Sequence, residues 1–174
     1  MKRHLALVGF MGTGKSTIGR KLARELGCAF FDTDNLIAHA HGAIAEIFAN
    51  EGEAAFRRYE RETIEHVLRT REAGVVALGG GALTVAENRA FLKERAHRVF
   101  LRSSPEQILR RVRRSRQRRP LLGNRPTLAK IQKLYDERLA HYADADHVVE
   151  AERLSDRAVL DDILQWLTEK NIEF

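Results

Sequence analysis

Short apolar runs alternate along this chain with longer segments in which apolar residues recur every three or four positions. The runs read as buried strands and the longer segments as amphipathic helices. HLALVG (4–9) opens the series and stops at a glycine. In KSTIGRKLARELG (15–27), Ile18, Leu22 and Leu26 share one helical face and Gly27 supplies a stop. CAFFDTD (28–34), VVALGGG (75–81), HRVFLRS (97–103) and DHVVEA (146–151) bring the predicted strands to five. Helices are predicted over 35–42, 43–52, 53–74, 85–96, 104–116, 127–145 and 154–170.

Within the segment 53–74, Phe56, Glu60, Ile64, Val67 and Leu68 fall on one face, which predicts the side turned to the core. Ser104 followed by Pro105 is an N-cap and first-turn pair, and Ser155 or Asp156 starts the last helix. Strands alternating with helices predict an α/β fold with a parallel sheet covered by helices on both faces. No repeat, linker or low-complexity tract interrupts the pattern, so a single domain over 1–174 is expected.

Composition changes this picture in one place. The chain has 30 Lys and Arg against 24 Asp and Glu, a formal net charge of +6. Seven of those arginines sit in RRVRRSRQRR (110–119); without them the balance is −1. The positive excess is therefore local, and the question is what that segment does. A nucleic-acid-coating protein more often spreads basic residues over a face. One cysteine, Cys28, excludes an internal disulfide and reads as a buried thiol in a reducing compartment. No run is long and apolar enough for a transmembrane helix, and the N-terminus lacks a cleavage site. A cytoplasmic protein is expected.

The chemistry begins at GFMGTGKS (9–16), which fits G-x-x-x-x-G-K-[ST] and lies between a predicted strand and a predicted helix. Such a loop wraps backbone N–H groups round a phosphate chain at a helix N-terminus. Lys15 would add charge at the β and γ phosphates and Ser16 a hydroxyl for Mg²⁺. Neither an N-K-x-D base reader nor a D-x-x-G loop occurs, which excludes a guanine-nucleotide switch and leaves a small-molecule kinase in front. In FFDTD (30–34), Asp32 and Asp34 are spaced i and i+2. If the strand runs through both, they share a face at the ligand end of the sheet; the alternative is that one of them caps the next helix. The three glycines after the third strand permit close backbone approach to a ligand. Glu60, three residues after Arg57, is placed to orient its guanidinium.

Together GFMGTGKSTIGRKLA, FFDTD, IFANEGEAAFRRYE, LGGGA, RRPLL and ERLAHY, in this order, make the chain resemble the shikimate kinases, a nucleoside-monophosphate-kinase-like P-loop family. The resemblance implies a three-layer P-loop kinase fold: a five-stranded parallel sheet of order 2-3-1-4-5, a substrate-binding helical segment at about 33–61, and a mobile lid at about 112–126. It implies ATP-dependent phosphorylation of the shikimate 3-hydroxyl on the way to chorismate and the aromatic amino acids, with Mg²⁺ as cofactor. Asp34, Lys15 and Arg119 would be catalytic. Asp34, Arg57, Gly79, Gly80, Gly81 and Arg138 would hold shikimate. Gly12, Thr13, Gly14, Lys15, Ser16, Thr17, Arg111 and Arg119 would hold the nucleotide, with Ser16 and Asp32 serving the metal. ATP and shikimate are the expected partners, without nucleic acid or membrane, and the chain is expected to act as a monomer. Two positions depart from the family pattern: Ala140 stands where a proline is common, and the loop before Ser155 lacks the usual proline. Of the seven arginines, Arg119 is expected to close over the transferring phosphate and the others to be mostly solvated.

Overall fold

The computed structural model describes residues 2–70, 72–115, 119–123 and 125–174. Its strands are β1 (His4–Val8), β2 (Ala29–Asp32), β3 (Gly74–Ala77), β4 (Ala96–Arg102) and β5 (His147–Glu150). They pair in parallel in the order β2-β3-β1-β4-β5, as the resemblance implied. The helices are α1 (Lys15–Leu26), α2 (Thr33–His41), α3 (Ile44–Asn50), α4 (Gly52–Leu68), α5 (Ala86–Arg95), α6 (Pro105–Arg114), α7 (Leu128–Ala143) and α8 (Asp156–Glu169).

Both faces of the sheet are covered, which is why β1 and β3 in its middle are almost wholly apolar. In β1, Leu5 and Leu7 join one core with Ile18 and Leu22 of α1 and Ile163 and Trp166 of α8. Ala6 and Val8 join the other, with Ile64 of α4, Leu92 of α5, Ile108 of α6 and Tyr142 of α7. Successive side chains on a strand point to opposite faces, so one five-residue run seeds two cores. Helix α4 buries Phe56, Glu60, Ile64, Val67 and Leu68, the face predicted from its periodicity. A third apolar cluster, Ile37, Ile47 and Phe56, ties α2 and α3 to α4 beside the sheet. Ser104 and Ser155 cap α6 and α8 through their hydroxyl oxygens, each accepting one of the N–H groups a helix start leaves unpaired.

Several boundaries differ from the sequence reading. The second strand stops at Asp32 instead of running to 34. Asp32 is the N-cap of α2, its Oδ1 accepting the Asn35 N–H at 3.1 Å, and helix has replaced strand from Thr33 onward. The third strand ends at Ala77, where its partner β2 also ends, and Ala82–Thr84 form a 3-10 turn after the glycines. Helix α4 stops at Leu68, six residues before Gly74. Cys28 is partly exposed rather than fully buried.

Candidate active site

The loop after β1 turns on glycines. Gly14, at φ 95°, occupies the left-handed region that costs other residues strain, and from it α1 starts with Lys15. Thr13 is buried, and its hydroxyl donates to the Phe10 carbonyl at 2.9 Å, so it shapes the loop from within. Ser16 and Thr17 are exposed in the first turn of α1. Lys15 is buried. Its Nζ donates to the Gly9 and Phe10 carbonyls, each at 2.8 Å. Burial lowers its pKa to about 8, with Arg119 and Arg138 adding to the effect and Asp34 and Asp32 opposing it. An anion arriving here therefore finds a desolvated cation already in place.

Asp32 and Asp34 both line the cavity over this loop, together with Lys15, Ser16, Gly80 and Arg119. They reach it by helix capping and not by strand alternation: Asp32 is the cap and Asp34 stands in the first turn of α2. The Oδ1 of Asp34 is shut off from solvent and has no hydrogen-bond partner among the described residues. Burial and the Asp32 charge raise the Asp34 pKa, while Lys15, Arg119 and Arg57 hold it down.

A second cavity adjoins the first and is lined by Asp34, Arg57, Glu60, Gly80, Gly81, Arg119 and Arg138, with Phe48, Phe56 and Leu121 as apolar wall. Met11, Asp34, Gly80 and Arg119 line both. Arg57 donates from Nη1 to Glu60 Oε2 at 2.7 Å, the pairing expected from their spacing, and from Nη2 to Glu53 Oε1 at 3.1 Å. Glu60 is wholly buried, and burial raises its pKa to about 7. Arg138, also buried, lies over the Phe10 ring and donates from Nη1 to the Gly80 carbonyl at 3.0 Å.

The glycines between these groups are needed for clearance. A Cβ on Gly79 would stand 2.7 Å from Asp34 Oδ1 and closer still to Glu60 Oε1. One on Gly81 would overlap the Arg57 guanidinium, and one on Gly80 would come within 2.8 Å of the Met11 backbone nitrogen. The sequence reading took these glycines as room for a ligand; they are equally room for Asp34, Glu60 and Arg57.

On the other side of the phosphate loop a third cavity is lined by Gly12, Gly14, Thr17, Arg111, Leu154 and Asp156. Arg111 reaches it from α6, with its Nη1 donating to the Gly12 carbonyl at 3.4 Å. All the expected site residues but Gly79 line one of these three cavities, which share lining residues of the phosphate loop and its surroundings. Of the expected lid at 112–126, residues 112–114 belong to α6 and 119–123 form a turn; 116–118 and 124 lie outside the described residues. Beyond the apolar wall of Phe48, Phe56 and Leu121, two residues the sequence reading did not name as site residues bear on the site. Met11 occupies a variable position of the loop motif and carries no signal. Tyr142 lies four residues after Arg138 on α7, a spacing that places both on one face and was readable.

A family model described as shikimate kinase matches residues 11–168. The chain belongs to the shikimate kinase family. Curated shikimate kinases agree in extent: that of Thiobacillus denitrificans is 44% identical over 87% of this chain and 83% of its own. That of Deinococcus radiodurans is 40% identical over 94% and 82%. Among solved structures, a shikimate kinase from Acinetobacter baumannii in complex with shikimate superposes with a TM-score of 0.92 at 36% identity, covering 99% of this chain and 97% of that one. A gluconokinase from Sinorhizobium meliloti, at TM-score 0.63 and 17% identity, shares the fold alone.

Proposed function

We infer that this shikimate kinase family member transfers the γ-phosphoryl group of ATP to the 3-hydroxyl of shikimate, giving shikimate 3-phosphate and ADP for the synthesis of chorismate and the aromatic amino acids. The observation that carries this reading is the junction of two cavities. The phosphate-loop cavity and the arginine-lined cavity share Asp34, Arg119 and Gly80, so a nucleotide in one and a small carboxylate in the other would react across that point.

In this reading the guanidiniums of Arg57 and Arg138 hold the acceptor carboxylate, each already oriented, by Glu60 and by the Gly80 carbonyl respectively. Phe48 and Phe56 cover a ring face. Asp34 accepts the proton of the 3-hydroxyl as that oxygen bonds to the γ-phosphorus and the bond to the ADP oxygen breaks. The Asp34 carboxylate, which lines both cavities, is the acceptor this step requires. Lys15 and Arg119 face the charge on the transferring oxygens, and most of the rate comes from such positioning and charge stabilisation. Gly12, Thr13, Gly14, Ser16 and Thr17 surround the phosphates, and Arg111 flanks the base. The donor set suits Mg²⁺: Ser16 and Asp32 offer only hard oxygens, and no cluster of three or more acidic, His or Cys side chains occurs among the described residues. The nucleotide's own phosphates would complete the shell. A bound Mg²⁺ neutralises phosphate charge.

The turn at 119–123 with the C-terminal part of α6 supports a lid at about 112–126, and α2 to α4 support the substrate-binding segment at about 33–61. No helix among the described residues is long and apolar enough to cross a membrane. A monomer working in the cytoplasm without nucleic acid accords with this reading. The test is ADP release with ATP and Mg²⁺, with and without shikimate. ADP formation should depend on shikimate and cease on chelation of the metal. Equal release without the acceptor, or preference for gluconate, overturns the reading.

A further inference from the structure

Tyr142 has a place in this site that its motif does not announce. It is the largest fully buried side chain of the molecule, at 1% exposure. Its ring packs on Phe100 with centroids 5.1 Å apart. Its O–H donates to the Gly80 carbonyl, the same oxygen that takes the Arg138 Nη1 hydrogen bond at 3.0 Å. Burial raises the phenol pKa to about 12, against the pull of Arg138, so the group stays a donor at any working pH.

A peptide unit is planar and trans, so the Gly80 C=O and the Gly81 N–H point in opposite directions. Holding the carbonyl therefore sets the direction of the N–H. Among the described residues the Gly81 N–H has no hydrogen-bond acceptor. Left to themselves, two consecutive glycines are the backbone least able to hold one orientation. On the other side of the unit the Met11 backbone leaves no room at Gly80, and the Arg57 guanidinium none at Gly81.

We propose that Tyr142 is a positioning residue for the acceptor. Its hydroxyl, paired with Arg138 on one carbonyl, locks the Gly80–Gly81 peptide in one orientation and fixes the Arg138 guanidinium in place for the acceptor carboxylate. The proposal rests on the reading of the arginine-lined cavity as the acceptor site. It assigns Tyr142 no contact with ATP and no part in the proton transfer.

The test is Tyr142→Phe, measured in steady state with each substrate varied, beside the wild type and Phe100→Leu. Phenylalanine keeps the buried ring, and the Gly80 carbonyl keeps Arg138, so no buried group is orphaned and the fold is retained. The expected result is a rise in KM for shikimate of roughly three- to tenfold, the scale of one hydrogen bond. The KM for ATP should be unchanged and kcat less affected. Phe100→Leu loosens the packing of the same ring without touching the hydroxyl; it should lower the melting temperature and leave the shikimate KM alone. A shikimate KM within twofold of wild type in Tyr142→Phe overturns the proposal. So does an equal rise for both substrates, or the same rise in Phe100→Leu. If the wild type does not turn over shikimate, the acceptor-site reading fails instead and takes the proposal with it.

Discussion

At the scale of the residue, the site is built from charges that are buried before any substrate arrives. Asp34 lines both cavities and keeps one oxygen buried without a hydrogen bond among the described residues. Asp34→Asn should cut kcat by roughly 10²–10⁴, the usual cost of a lost base, and leave ATP binding intact. An unchanged kcat would make Asp34 a structural residue of the α2 start. The clearance at Gly79 gives a second expectation. Gly79→Ala puts a methyl group between Asp34 and Glu60, both held by the fold. The shikimate KM should rise at least tenfold while nucleotide affinity, measured by titration, changes little. Normal acceptor kinetics would mean that the two carboxylates can move apart.

At the scale of the element, the arginine-rich segment divides by position. Helix α6 buries Ile108 and Val112 and leaves Arg110, Arg113 and Arg114 exposed, as any amphipathic surface helix does. Arg111 turns to the phosphate loop and Arg119 lines both the phosphate-loop cavity and the arginine-lined one. Burial lowers the Arg119 pKa, with Asp34 opposing, which marks a cation already partly desolvated. Arg119→Ala should lower kcat by about 10² or more, as removal of a transition-state charge donor does; Arg114→Ala should change it less than twofold. A nucleic-acid arm would show the reverse: equal small kinetic effects, and oligonucleotide binding that both substitutions weaken alike along with its salt slope. Steady-state kinetics and oligonucleotide titration of the same two variants separate the outcomes.

At the scale of the whole molecule, one histidine ties the entry of the sheet to its stability against acid. His4 begins β1, and its Nδ1 accepts the Gly74 N–H at 3.2 Å where β3 starts. The Nε2 side meets the Thr70 hydroxyl, which itself donates to the Val67 carbonyl in the last turn of α4. The acceptor role of Nδ1 requires the neutral ring. Burial lowers the His4 pKa below its ordinary 6.5. The unfolded chain then takes up this proton first as the pH falls, so stability declines below about 6.5. His4→Asn, whose side-chain oxygen can accept the same N–H, should lose less melting temperature between pH 7 and pH 5 than wild type. Parallel declines would remove His4 from the acid response.

Sequence alone determined the elements whose cause is local. The five apolar runs, the phosphate loop, the Ser104 cap, the start of the last helix at 155 or 156 and the buried face of α4 follow from periodicity and capping, which act within a few residues. The Arg57–Glu60 pair was legible for the same reason: three positions on a helix are neighbours. Strand ends were not, because a strand stops where its partner stops; β2 and β3 finish together at Asp32 and Ala77. Asp32 and Asp34 admitted two readings, a strand pair or a helix cap; the second holds for Asp32, and both still line the same cavity. The burial of Lys15, the crowding at Gly79 and Gly81, and the hold of Tyr142 on Gly80 join residues up to 62 positions apart. Only tertiary structure decides such contacts, because they depend on how helices settle on the sheet and not on any spacing along the chain.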